Sequence, residues 1–177
     1  MESNNIIIRE TIFNDCQYFA EWEIKDYVKE FLTIEETRNY EDIVTEFISR
    51  KSDDHKAQYT IVLKNENKPI GRVYLSKIDK GSDSIDITRI YIGDEHYLGK
   101  GFGKDSMLLL LEYCFKTLGM ERVTLDHYPN NEKASKMYLN LGFKYEGIMR
   151  NAAKKNNKYY NLHLMSILKD KYFEIYN

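Results

Sequence analysis

The sequence predicts an α+β (mixed α/β) fold in one domain spanning residues 1–177. Three observations lead there. Two helical stretches come early, ahead of most of the strands. Period-two apolar segments then follow one another through short turns. Later, two strands are each followed by a helix that stops at a glycine, the pattern of crossovers returning to a mixed sheet. With 42% hydrophobic residues and only two prolines, a chain of this length can bury one ordered core.

The elements follow in order. Ile6-Ile7-Ile8 with Thr11-Ile12-Phe13 reads as a first strand. Asp15 is placed to cap a helix carrying Phe19, Trp22 and Tyr27. A second helix is expected over 34–49, with Tyr40, Ile43, Val44, Phe47 and Ile48 on one stripe. Residues 59–64 and 70–78 read as two strands around the turn Asn65-Glu66-Asn67-Lys68-Pro69, and Gly81-Ser82-Asp83 is a further turn. A helix to about Leu118 stops at Gly119. A strand over 122–128, a short helix with Ala134, Met137, Tyr138 and Leu141, and a stop at Gly142 come next. Strands over 143–149 and 159–168 flank a basic turn with Arg150, Lys154, Lys155 and Lys158, and the tail reads as a short helix.

The strand over 85–92 departs from simple alternation. Ile85 and Ile87 share one parity, Ile90 and Ile92 the other. One extra residue near Thr88-Arg89 keeps all four on one face, which is a β-bulge. A bulged strand leaves backbone groups that a ligand can satisfy. Beyond it, Gly99-Lys100-Gly101-Phe102-Gly103-Lys104 opens a helix. The glycines allow close approach and positive φ, and the unpaired N–H groups at the helix start favour a phosphate or pyrophosphate. The spacing fits neither the Walker loop nor the dinucleotide G-x-G-x-x-G pattern.

Two motifs resemble the GNAT acetyltransferases. Leu98-Gly99-Lys100-Gly101-Phe102-Gly103 is similar to the family loop Gln/Arg-x-x-Gly-x-Gly/Ala, with Leu98 in place of Arg or Gln. Asn131-Glu132-Lys133-Ala134-Ser135-Lys136-Met137-Tyr138-Leu139-Asn140-Leu141-Gly142-Phe143 matches the second signature, Asn-x-x-Ala-x-x-x-Tyr-x-x-x-Gly-Phe, at every fixed position. Tyr145-Glu146-Gly147 and Arg150 resemble the branch with ribosomal-protein-alanine and small-amine acetyltransferases. The resemblance implies a mostly antiparallel seven-strand mixed sheet with helices on both faces. It also implies a splayed, bulged fourth strand, with acetyl-CoA (coenzyme A) in the splay.

Family roles carry over residue by residue. Ile90, Tyr91 and Ile92 are expected to pair with the pantetheine amides as an added strand. Leu98, Gly99, Lys100, Gly101, Phe102, Gly103 and Lys104 are expected to hold the pyrophosphate, with Asn131 and Ala134 also on the cofactor. Tyr138 is the expected general acid for the leaving thiolate. Asp86, upstream of the bulge, is the expected base, and Asp126 with His127 is a second possibility. The first two helices would wall the acceptor site through Trp22, Asp26 and Tyr27, with Asp126 opposite.

Charge bears on the acceptor. Residues 21–46 hold nine acids and three bases, net −6 in a chain of net −2. Acids interleaved with Trp22, Tyr27, Phe31 and Tyr40 suit a cationic amine, of polyamine or aminoglycoside type. A protein N-terminal acceptor and a non-catalytic acyl-CoA-binding regulator are the alternatives. The near-balanced total argues against a nucleic-acid partner. Cys16 and Cys114 are expected as free thiols, and the four histidines show no metal spacing, so no metal is expected. The N-terminus lacks a secretory pattern, and the longest apolar run, Met107 to Leu111, is too short for a bilayer. The expectation is a cytoplasmic monomer or homodimer acting on a small-molecule amine, without membrane attachment.

Overall fold

The computed structural model describes residues 1–34, 38–50 and 52–176. Its strands are β1 (Ile6–Glu10), β2 (Ala57–Leu63), β3 (Lys68–Asp79), β4 (Ser84–Ile92), β5 (Arg122–His127), β6 (Lys144–Lys155) and β7 (Lys158–Leu168). They form one seven-stranded sheet in the order β1-β2-β3-β4-β5-β7-β6. Every pairing is antiparallel except β4 with β5. That parallel pair is joined by a crossover helix, as parallel strands require. The helices are α1 (Asp15–Glu23), α2 (Asp26–Lys29), α3 (Tyr40–Arg50), α4 (Phe102–Glu112), α5 (Glu132–Asn140) and α6 (Lys169–Tyr176). No helix is long and apolar enough to cross a membrane among the described residues.

Two cores flank the sheet. The larger joins Ile6, Ile61, Val73, Ile85, Val123 and Leu125 to Met107, Leu110 and Leu111 of α4, Tyr138 of α5 with Leu141 just past its end, and Tyr172 of α6. The smaller joins Phe19 and Trp22 of α1, Val28 of α2, and Ile43 and Phe47 of α3, with Tyr91 packed against it. The helical layers therefore lie on opposite faces, as expected.

Several boundaries differ from the sequence reading. β1 stops at Glu10, because the Asp15 carboxylate accepts the Ile12 N–H at 2.9 Å and turns the chain. Asp15 thus acts from inside the first turn of α1, and Asn14 holds the cap position. The helix expected to run through Tyr27 is two: α1 ends at Glu23, and extended Lys25 precedes α2. α3 begins at Tyr40 instead of Ile34, and residues 35–37 of that expected helix lie outside the described residues. α4 widens after Glu112 into one π turn, Tyr113–Thr117. β6 runs through the expected basic turn to Lys155, and the hairpin turns instead at Asn156-Asn157, both at positive φ (51° and 59°). Asparagine tolerates that geometry in a two-residue hairpin. Lys155 is consequently buried, its Nζ donating to the Lys29 carbonyl at 2.7 Å.

Candidate active site

The site is organised by a failure of pairing. β4 and β5 share ladder partners only at Ser84↔Arg122, Ile85↔Val123 and Asp86↔Thr124. Tyr74 then pairs with Arg89 and Leu75 with Ile87, so Thr88 is the extra residue. The bulge falls where the alternation of isoleucines places it. Ile85, Ile87, Ile90 and Ile92 all remain on the larger-core side, and Tyr91 faces the smaller core. A bulge increases local twist. Past it, β4 holds to β3 through Val73↔Ile90, Arg72↔Tyr91 and Gly71↔Ile92, while β5 holds to β7. The facing edges of 90–92 and 125–127 share no ladder pair and form a cleft with free main-chain groups.

The glycine loop lies at the end of the β4 arm. Gly99 and Gly101 sit at φ 73° and 90°, and Gly101 is the N-cap of α4. Gly103 has ordinary helical backbone, and a Cβ there would meet nothing within 4 Å. Neither conformation nor packing demands a glycine at 103, so the space in front of it suits a ligand. The first N–H groups of a helix such as α4 have no partner within the helix. Lys104 is exposed, and Lys100 lies 5.4 Å over the Tyr97 ring. Leu98 is 40% exposed. On the β5 arm, Asn131 caps α5, its Oδ1 accepting the Ala134 N–H at 3.2 Å. These features fit a diphosphate followed by a slender amide-bearing arm.

Two carboxyls and a phenol lie near the point where β4 and β5 part, the carboxyls on the Thr124 face of the sheet and the phenol on the larger-core face. Asp86, 4% exposed, accepts from Thr88 Oγ1 at 2.9 Å and from Thr124 Oγ1 at 2.8 Å, with Lys77 Nζ at 3.9 Å. Asp126 shares the Thr124 face of β5 by strand alternation. Burial, then the Asp86 charge, pushes Asp126 up to about 6 against the opposing pull of Lys77. Tyr138 projects from α5 on the larger-core side, 8% exposed. Burial and the Asp126 charge push its phenol up to about 12. The His127 ring lies 5.9 Å from that of Tyr138. His127 Nδ1 is 2.8 Å from the Tyr128 carbonyl, so it carries the hydrogen, and the buried Nε2 is an unpartnered acceptor.

The acidic window divides. Glu23 and Glu46 do not face solvent, because Arg72 lies between them with its side chain wholly buried. Arg72 donates to Glu23 at 2.5 Å, Glu46 at 2.7 Å and Gln58 Oε1 at 3.1 Å. Arg38 pairs with both acids, Arg89 joins Glu46 at 2.8 Å, and the Tyr91 hydroxyl donates to Glu23 at 2.8 Å. Burial raises the Glu46 carboxyl, but Arg72, Arg89 and Arg38 outweigh it and hold it at about 2. This network ties α1 and α3 to the bulged half of β4. Its sequence signal was one arginine inside the apolar run Ile70–Leu75, which needs buried acids as partners.

The residues expected around the acceptor are placed unequally. Trp22 is 6% exposed and fills space against Gly93, where a Cβ would come within 2.2 Å of the indole. It is chiefly a packing residue. Asp26 is exposed and paired with Lys29 at 3.0 Å. Tyr27 donates its hydroxyl to the Gly93 carbonyl at 2.8 Å and so pins α2 to the end of β4. The Lys155–Lys29 bond pins the other end of α2 to the β6–β7 hairpin. α2 is therefore tied both to the end of β4 and to the β6–β7 hairpin. A concavity of about 670 Å³ lies on the β5 side, lined by Glu30, Tyr128, Asn130, Lys155, Tyr159 and Asn161 among others. The sequence reading named none of these as acceptor residues.

Comparison with known proteins agrees with this geometry. Residues 6–144 match the model of the acetyltransferase (GNAT) domain. The uncharacterised N-acetyltransferase p20 of Bacillus licheniformis is 24% identical over 159 residues, 89% of this chain and 86% of that protein. A spermidine N(1)-acetyltransferase of Vibrio cholerae is 29% identical over 131 residues, 74% of this chain and 75% of that one. The crystal structure of spermidine N-acetyltransferase from Vibrio cholerae with CoA and spermine superposes with a TM-score of 0.87 at 21% identity, covering 97% of this chain and 99% of that one. With its domain match, its seven-stranded sheet and the unpaired cleft between β4 and β5, the chain belongs to the GNAT acetyltransferases and is an acetyl-CoA-dependent N-acetyltransferase.

Proposed function

We propose that the chain, acting as one domain over residues 1–177 and as a monomer or homodimer, acetylates a primary amine of a small cationic molecule, of polyamine or aminoglycoside type, by direct attack in a ternary complex. What supports this reading is the cleft where β4 and β5 stop pairing, with Asp126 on the β5 arm, its carboxyl pushed up to about 6, and Tyr138 on the helix that follows, its phenol pushed up to about 12. Acetyl-CoA supplies the activated acyl group. The main chain of Ile90, Tyr91 and Ile92 holds the pantetheine arm, and the loop from Leu98 to Lys104 holds the diphosphate, with Asn131 and Ala134 opposite.

Asp126 is the better base of the two carboxyls. Asp86 is occupied by two threonine hydroxyls. Its charge helps hold Asp126 in the range where a carboxylate exchanges protons near neutral pH. Asp126 then takes the proton of the incoming ammonium, and Asp86 positions and tunes it. Tyr138 keeps its proton at every physiological pH and donates it to the departing thiolate. The named activity of the Vibrio relative, and the spermine in the solved complex, support a small polyamine-like acceptor.

The test is a panel of amines incubated with acetyl-CoA while free thiol is followed. Acetylated amine and stoichiometric thiol are expected. Protein that binds coenzyme A yet turns over no small amine overturns the reading.

A further inference from the structure

The concavity on the β5 side narrows the acceptor class, on the reading that the chain acetylates small amines. Three elements meet there. Glu30 follows α2. Tyr128, Pro129 and Asn130 continue β5. Asn151, Lys155, Asn156, Tyr159, Tyr160 and Asn161 come from the β6–β7 hairpin. Tyr128 follows Asp126 by two residues, so the pocket wall directly continues the strand that carries the proposed base.

The lining does not suit a bare polyamine. Chains of ammonium groups spaced by methylenes need several carboxylates, and Glu30 is the only one among the described lining residues. Glu23 and Glu46, two of the nine acids of the window, are consumed by Arg72, Arg38 and Arg89. Lys155 adds a positive charge to the wall, fixed by its bond to the Lys29 carbonyl. What dominates is four carboxamides and three phenols. Asn161 already accepts the Asn151 N–H through Oδ1 at 2.9 Å, which leaves its NH₂ to donate outward. Tyr159 is 62% exposed, so its ring is available to a flat apolar face. Carboxamides and phenols make paired hydrogen bonds to vicinal hydroxyls, and aromatic rings pack on the C–H face of a sugar. A single carboxylate suffices for one ammonium.

We infer that the acceptor is an amine on a hydroxyl-rich ring, of amino-sugar type, seated between Tyr159, Asn161, Asn130 and Glu30. A site built to hydrogen-bond hydroxyls discriminates strongly against an analogue lacking them.

Glucosamine, kanamycin, spermidine and a tripeptide with a free N-terminus would be compared as acceptors at saturating acetyl-CoA. One of the two amino-sugar compounds is expected to exceed spermidine and the tripeptide in kcat/KM by about tenfold or more. Tyr159→Ala, a change at an exposed ring, should raise KM for that acceptor several-fold. It should leave the coenzyme A-induced rise in Tm unchanged. Preference for spermidine or the tripeptide, or an unaltered KM in Tyr159→Ala, overturns the inference while the transferase reading stands. Thiol release with none of the four, from protein whose Tm still rises with coenzyme A, overturns both.

Discussion

Replacing Asp126 by asparagine should stabilise the protein while disabling it, and the size of both effects follows from the environment of the carboxyl. Burial and the neighbouring Asp86 raise Asp126 from an ordinary 3.8 to about 6. A group raised on folding contributes stability below its unfolded pKa and loses it as pH climbs through the folded one. Carrying this carboxylate ionised therefore costs about 3 kcal/mol at pH 7.5, at 1.36 kcal/mol per pH unit. The cost is only about half as large at pH 5, where the native carboxyl is mostly protonated. Asparagine keeps the shape and removes the charge. In urea denaturation without ligand, Asp126→Asn should gain up to about 3 kcal/mol at pH 7.5 and about half of that at pH 5. In the steady state, wild-type kcat/KM should rise through a limb near pH 6. The variant should lose that limb and run lower by about 10²-fold or more. Asp86→Asn should move the limb to lower pH, because it removes the second cause of the shift. An Asp126→Asn protein no more stable than wild type at pH 7.5, or one that keeps the limb near pH 6, would refute the reasoning.

Three further outcomes are expected. Tyr138→Phe should lower kcat by about 10²–10⁴-fold and leave the coenzyme A-induced rise in Tm intact, since only a proton donor is removed. Unchanged turnover would take Tyr138 out of the chemistry. Gly103→Ala should raise the unfolding free energy by about 0.5–1 kcal/mol, because a helical glycine is replaced where no atom opposes a Cβ, yet weaken coenzyme A binding measured by calorimetry. Unaltered affinity would place the diphosphate elsewhere. Arg72→Met should cost up to about 3–5 kcal/mol in urea denaturation by leaving buried Glu23 with only Arg38 and Tyr91 and taking one arginine from Glu46, and Arg72→Met with Glu23→Gln should recover part of that loss. Equal stability of the single and double variants would mean that the two groups are not coupled.

Much of the fold could be read from local signals because those signals are local in origin. The parity change between Ile87 and Ile90 put the bulge near Thr88-Arg89, where the register has it, and glycines at 119 and 142, at φ 72° and 96°, marked where helices stop. The elements misread are those whose limits are set from afar. No glycine or proline separates Glu23 from Asp26, so nothing in the local sequence broke the helix between α1 and α2. The hairpin tip was placed too early because basic residues look solvated. Pairing with β7, and a carbonyl on α2 that receives Lys155, carry β6 onward instead. The candidate site divides in the same way. The glycine loop, Asn131 and Tyr138 belong to contiguous motifs. The relation of Asp126 to Asp86, and the sequestering of Glu23 and Glu46 by Arg72, depend on strands brought together only by folding.

The strap formed by α2 is tethered at both ends through main-chain oxygens: that of Gly93 receives Tyr27, and that of Lys29 receives Lys155. A carbonyl is indifferent to the side chain it belongs to. Asp26, Lys29 and Glu30 can therefore diverge without unfastening the strap. Substitutions at those surface positions would leave both fastenings in place.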